Sequence, residues 1–441
     1  MNNNDPFDKL TRAAAFLGGT ETLKKKGRIV ELVGLVLKAT VPGVKMGDLV
    51  EVNRGGGAAL EAEVVGFREG QSILVPLGDV SGVGPDSEVN PTGRRLRVKC
   101  GLGLIGRVLD GLGRPIDKKG PLKGNCILWD VDRAAPDPLS RPRISQALSM
   151  GVRAIDGLLT VGEGQRVGLF AGSGVGKSTL LGQIARNTEA EVNVICLVGE
   201  RGREVREFLE DALGKKGMER SVVVCATSDT PSLVRLKCPL VATAVAEYFR
   251  SQGKKVLFLM DSVTRYARAL REVGLAAGEP PTRRGYPPSV FAALPKLLER
   301  TGTCPQGSVT AIYTVLVEGG DMDEPIADEV RGILDGHVIL SRELATRNHY
   351  PAIDVLSSLS RVMNSVVRKT HVESAGAFRA LLSAYESHRD LITLGAYKKG
   401  GDPTVDIAMA KLNEIMSFLR QGTYEEAEIN NTIERLLEVV G

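Results

Sequence analysis

The run Ala171-Gly172-Ser173-Gly174-Val175-Gly176-Lys177-Ser178-Thr179 constrains this chain more than any other segment. Glycines at 172, 174 and 176 let the backbone curl tightly and turn several N–H groups toward one anion. Lys177 adds a point charge for the β- and γ-phosphates of a nucleoside triphosphate, and Ser178 adds a hydroxyl suited to a phosphate-bound Mg2+. The flanks agree with this reading. Residues 166–170 form a short apolar run of strand type, and residues 178–187 carry Leu180, Leu181 and Ile184 at helical spacing. A helix that starts there turns its positive dipole end toward the phosphates. The motif's usual first glycine is replaced by Ala171, which lies at the strand end and away from the phosphates. A strand, a phosphate loop and a helix in that order call for an α/β nucleotide-binding core.

The rest of the chain is larger than that core. At 441 residues it is long enough for two to four domains. Net charge is only +4 on 57 basic and 53 acidic residues, which argues against a dedicated nucleic-acid binder. Cysteines 100, 126, 196, 225, 238 and 304 are scattered with no C-x-x-C pair, so they read as reduced thiols of a cytosolic protein. The start lacks the basic and apolar regions of a signal peptide, and no apolar run reaches membrane-spanning length. The expected location is the cytoplasm, with docking on a membrane complex left open.

Patterning divides the chain into four stretches. Residues 1–24 read as an interaction segment, with Phe7, Leu10 and Leu17 on one helical face. Residues 25–95 alternate in short runs between Gly, Pro and Asp turns, the pattern of a small closed β-barrel. Phe67 is the only aromatic residue there, too little stacking surface for a single-strand nucleic-acid barrel, so an assembly role is expected. Residues 96–370 alternate apolar strand-like runs with helical stretches, which implies a mostly parallel sheet with helices on both faces. Residues 371–441 show helical spacing (Phe378, Leu381, Leu382, then Ile415, Phe418, Leu419) and read as a small helical domain.

Hydrolysis of a bound triphosphate needs more than the loop: a metal-site acid, a group that orients water, and positive charge at the transition state. Asp261 ends an apolar run, where a carboxylate at the carboxyl edge of a strand can hold the Mg2+ shell. Glu200 also follows an apolar run and can accept a proton from attacking water, but Glu204 lies close by and local sequence does not choose between them. Arg265, Arg268 and Arg361 are all candidates for the charge.

Several longer segments, taken together, resemble one family. They are Gly199-Glu200-Arg201-Gly202-Arg203-Glu204, Leu259-Met260-Asp261-Ser262-Val263-Thr264-Arg265, Gly278-Glu279-Pro280-Pro281-Thr282-Arg283-Arg284-Gly285-Tyr286, Tyr350-Pro351-Ala352-Ile353-Asp354 and Ser358-Leu359-Ser360-Arg361-Val362. They resemble the ATPases of bacterial type III export, relatives of the rotary ATP synthase head subunits. The resemblance implies that Glu200 polarises the attacking water, that Arg201 and Arg265 lie near the phosphates, that Tyr350 packs on adenine, and that Arg361 is a finger reaching a neighbour's site. A finger of that kind implies a homohexamer. The resemblance also implies ATP with Mg2+, a central stalk protein, a regulatory or stator protein, membrane proteins of the export gate and chaperone–substrate complexes. The stretch Gly395-Ala396-Tyr397-Lys398-Lys399-Gly400-Gly401-Asp402-Pro403 lacks the acidic cluster of catalytic synthase subunits. Together with Phe418-Leu419-Arg420-Gln421 it looks like the flagellar branch, ahead of virulence secretion. A rotary synthase subunit, an RNA translocase and a non-hydrolysing structural ring are the remaining alternatives.

Overall fold

The computed structural model describes residues 25–441, so the interaction segment expected at 1–24 lies outside the described residues. The chain divides after Arg95 into two compact units.

In the first unit the strands β1 (Gly27–Val33), β2 (Val36–Thr40), β3 (Leu49–Val52), β4 (Leu60–Arg68), β5 (Gln71–Pro76) and β6 (Glu88–Pro91) close into a barrel in the order β1-β2-β5-β4-β3-β6. Alternation along the strands drives closure: Ile29, Leu37, Val50, Val52, Leu60, Val64, Leu74 and Val89 turn inward and fill the interior. Closure removes both free edges, which for strands this short protects the backbone hydrogen bonds.

The second unit is built on a sheet ordered β17-β16-β10-β15-β13-β11-β12-β8, with the short β14 beside β15. Its members are β8 (Val108–Asp110), β10 (Arg166–Ala171), β11 (Val192–Glu200), β12 (Ser221–Thr227), β13 (Lys255–Asp261), β14 (Gly302–Thr303), β15 (Ser308–Leu316), β16 (Gly336–Leu340) and β17 (Ile353–Ser360). A separate ribbon pairs β7 (Arg97–Cys100) with β9 (Ile127–Asp130). Neighbours from β16 to β8 run parallel, whereas β14 and β17 are antiparallel. Strands covered on both faces are mainly apolar, and every residue of β11 is buried.

Register decides where the chemistry falls. Ala171 pairs with Leu316, Met260 with Tyr313, and Leu197 with Asp261. The carboxyl ends of β10, β13 and β11 therefore share one edge, which brings the phosphate loop, Asp261 and Glu200 together. The helix Lys177–Asn187 leaves this edge and buries Leu180, Leu181 and Ile184 against the sheet.

From Lys369 onward the chain is helical, in the segments Lys369–Thr393, Pro403–Ala410, Leu412–Leu419 and Ile429–Val440. Their apolar stripes join the same core as the loop helix, and the rings of Phe378 and Phe418 meet at 5.2 Å between centroids. The stretch 395–402 links the first two helices. Asp402 ends it as an N-cap, accepting from Thr404 N at 2.8 Å with Pro403 following in the first turn.

A buried ion pair organises the loop beside β8. Arg107 grips Asp117 through two nitrogens, Nε at 2.6 Å and Nη2 at 2.8 Å. Val108 N and Lys119 N also donate to that carboxylate, at 3.2 and 3.1 Å. These donors hold the Asp117 carboxyl well below the usual range, the Arg107 hydrogen bond most of all.

Candidate active site

The phosphate loop has the backbone that its glycines predict. Gly174 and Gly176 adopt left-handed conformations, with φ of 78° and 85°. A side chain at Gly174 would meet nothing within 4 Å, so the backbone conformation, and not crowding, requires glycine there. Ser173, Gly174, Ser178 and Thr179 are exposed, Gly172 is half-buried and Val175 anchors the loop in the core. Gly176 is the N-cap of the following helix, whose free N–H groups and dipole face outward with the loop.

Lys177 projects from the first turn into a pair of carboxylates. Its Nζ is hydrogen-bonded to Asp261 Oδ1 and lies 3.8 Å from Glu200 Oε1. Asp261 Oδ1 also accepts from Thr314 Oγ1 at 2.7 Å, and the aspartate is 4% exposed. Glu200 Oε2 accepts from Arg265 Nη2 at 3.1 Å, and a second nitrogen of the same guanidinium bonds the Gly199 carbonyl. Glu200 Oε1 is buried and has no hydrogen-bond partner among the described residues. Burial raises the Glu200 carboxyl to about 7, helped by a hydrogen bond with the Glu204 carboxyl and by the charge of Asp261. Lys177 and Arg265 pull in the other direction. The same hydrogen bond lowers the Glu204 carboxyl.

A divalent metal fits this donor set. No group of three or more His, Cys, Asp or Glu side chains able to hold a metal occurs among the described residues. An ion here would take one carboxylate, the exposed hydroxyl of Ser178 and oxygens of phosphate and water, the mixed oxygen shell that Mg2+ prefers.

Tyr350 lies against the loop. Its ring atoms Cδ1 and Cε1 stand 3.4 Å from where a Cβ on Gly176 would be, and the residue is 42% exposed, which leaves a surface open to a ligand. Two of the expected arginines are exposed. The side chain of Arg201 is 80% exposed and pairs with Glu204 at 3.6 Å. Its place explains this, because it leaves the buried end of β11 and begins the exposed helix Gly202–Glu207. Arg361 follows the last residue of β17, where Ser360 pairs with Gly336 at the start of β16. Its backbone N donates to Asp335 O at 3.1 Å, and Asp335 in turn binds Arg166 at the start of β10. Five strand residues, about 16 Å, separate that level from Ala171. Arg361 is exposed, and its guanidinium has no hydrogen bond or ion pair among the described residues.

The sequence reading missed Thr314. Its signal was a hydroxyl inside the apolar run of β15, where a buried polar side chain needs a partner. It also missed Thr423 and Tyr424. These line a cavity of about 310 Å3 with Ser178, Thr179 and Phe208, and nothing in their local sequence places them beside the loop.

Comparison with known proteins adds independent information. Residues 151–360 match the ATP synthase alpha/beta family nucleotide-binding domain, and residues 367–438 match the T3SS EscN ATPase C-terminal domain. The flagellum-specific ATP synthase of Bacillus subtilis is 52% identical over 424 residues, which covers 96% of this chain and 97% of that one. The chain belongs to the family of flagellar and type III secretion ATPases. The type 3 secretion system ATPase of Xanthomonas euvesicatoria is also 52% identical, over 94% of both chains, so overall identity does not separate the two branches. The solved structure of the assembled ATPase EscN from the enteropathogenic E. coli type III secretion system superimposes with a TM-score of 0.89 at 46% identity. It covers 94% of this chain and 100% of that one, and it matches the barrel, sheet and helices in order. EscN has also been solved in complex with its central stalk EscO, with a TM-score of 0.88. As a member of this family the protein is an ATPase.

Proposed function

We propose that this chain energises type III protein export by hydrolysing ATP at the interfaces of a homohexameric ring, and that it belongs to the flagellar branch. One observation carries the catalytic part. Lys177, Asp261, Glu200 and Arg265 converge at a single sheet edge beneath a loop whose backbone donors face outward. In this reading residues 172–179 and Lys177 bind the phosphates, and Tyr350 packs on adenine. Ser178 and Asp261 hold Mg2+, which neutralises charge on the phosphate oxygens when bound. Glu200 Oε1 accepts a proton from the attacking water, while Arg265 fixes the carboxylate through Oε2.

Arg361 supports the ring. It stands at the sheet edge opposite its own Lys177 with its guanidinium uncommitted among the described residues, so its positive charge serves a neighbour's site. Assembly of the relative EscN, and its central stalk, fit this arrangement. No helix among the described residues is long and apolar enough to cross a membrane, which suits peripheral docking on export-gate proteins. A regulatory or stator protein and chaperone–substrate complexes are the further expected partners. The flagellar reading rests on the resemblance of 395–403 and Phe418-Leu419-Arg420-Gln421 to that branch, while the lack of an acidic cluster at 395–403 sets the chain apart from catalytic synthase subunits.

Steady-state hydrolysis by the purified chain, with Glu200→Gln as control, tests the enzyme reading. Crosslinked pull-down from the native host tests the branch: flagellar components support it, and recovery of virulence-secretion components replaces it.

A further inference from the structure

Between the helices Leu412–Leu419 and Ile429–Val440 the chain runs back over the nucleotide-binding core, and its polar contacts converge on Gln421. This residue is 6% exposed, and both ends of its amide are used. Oε1 accepts from Arg153 N at 2.8 Å, and Nε2 donates to Gly151 O at 3.0 Å and to Glu425 O at 2.9 Å. Its own backbone N donates to Tyr350 O at 3.0 Å.

The surroundings fasten the same segment. Arg153 Nε donates to Phe418 O at 3.1 Å, and its other nitrogens reach Arg420 O and the Glu425 carboxylate. From the loop helix, Arg186 donates to Thr423 O at 2.5 Å, and its guanidinium lies 4.9 Å from the Tyr424 ring. Tyr350 itself is lightly held. Among the described residues, its only hydrogen bond is the one from Gln421. Lys177, Glu200 and Asp261, by contrast, have no hydrogen bond or ion pair to this segment.

We propose that Gln421 is a positioning residue for the nucleotide base. Its side-chain amide fixes the segment on Arg153 and Gly151, and that segment's backbone N–H holds the Tyr350 carbonyl, so the docking of the C-terminal helices sets how well the base is bound and leaves the phosphate contacts alone. This inference rests on the reading that Tyr350 packs on adenine.

The test compares ATP with tripolyphosphate, a probe that has no base, on the full chain. Gln421→Leu keeps the bulk and removes the amide. It is expected to weaken ATP about tenfold, comparable to one lost stacking contact, with tripolyphosphate affinity unchanged within about twofold. Turnover at saturating ATP should stay within about threefold, so the loss appears in KM and not in kcat. A purely structural role would lower the melting temperature without changing the ratio of the two affinities. Gln421→Glu, which is isosteric, takes its place if the leucine variant does not fold.

Tyr350→Ala separates the two layers of the argument. If it leaves ATP affinity intact, the adenine reading fails. If it weakens ATP while Gln421→Leu does not, the present proposal alone fails. The double variant should bind ATP no worse than Tyr350→Ala, because Gln421 acts through that ring. Additive losses, or equal losses for ATP and tripolyphosphate, overturn the proposal.

Discussion

Arg265 holds Glu200 by one oxygen only: Nη2 sits 3.1 Å from Oε2, while Oε1 is buried, lacks a hydrogen-bond partner among the described residues and faces Lys177 at 3.8 Å. The oxygen left over is the one a water beside the phosphates would use. Glu200→Gln should therefore bind ATP with near-normal affinity yet hydrolyse it at least ~10²-fold more slowly. Calorimetric titration beside a phosphate-release assay checks both halves. Near-normal turnover would move the proton-accepting role to Glu204.

The protonation of that carboxylate gives a pH profile. Glu200 accepts a proton only when ionised, and burial with the Glu204 hydrogen bond raises its carboxyl to about 7. In the free enzyme kcat/KM should therefore fall with a one-proton slope below about pH 7, well above the roughly 4.3 of an ordinary glutamate. Glu204→Gln removes a contact that raises Glu200, so the inflection should move down. A wild-type profile flat to about pH 5 would contradict this assignment.

Lys177→Ala should abolish nucleotide binding, because the loop loses its one side-chain cation among residues 171–179. Titration with a fluorescent ATP analogue reads this directly, and retained tight binding would refute the role.

Arg361→Ala should cost ~10³-fold or more in turnover while ATP binding persists. Mixing it with Lys177→Ala should restore part of the activity, since each variant supplies what the other lacks. Mixed assemblies that stay inactive would count against a finger acting between subunits.

The Arg107–Asp117 pair makes a prediction about stability alone. Both side chains are under one-tenth exposed, so Asp117→Ala strands a buried cation at a cost of about 3–5 kcal/mol. The sign of the pH effect follows from the depressed Asp117 carboxyl. Its contribution is fully present above the unfolded value near 3.9 and is lost as pH falls below it. Urea unfolding of wild type at about pH 7 and pH 3 should show that loss, and the alanine variant should show less of it.

Local patterns carried the loop, its strand and its helix, because each is specified by residues next to one another. Asp261 and Glu200 were legible for a similar reason: each closes an apolar run, and parallel strands put such ends on one edge. Thr314 became meaningful only through its register opposite Asp261, a pairing between strands that the sequence does not state. The Gln421 contacts were out of reach altogether. They join Arg153 and Gly151 to a residue some 270 positions away, and no periodicity encodes such a meeting. Arg201 stands beside Glu200 in sequence but turns to the surface, because the strand ends between them.

Strand β17 has a mechanical meaning. Tyr350 precedes it at the nucleotide edge, and Arg361 follows it at the far edge, with eight residues of extended backbone between them. Extended chain of that length spans about 26 Å. In the proposed ring, where Arg361 serves the next subunit, this strand ties the base end of one site to the charge offered to its neighbour.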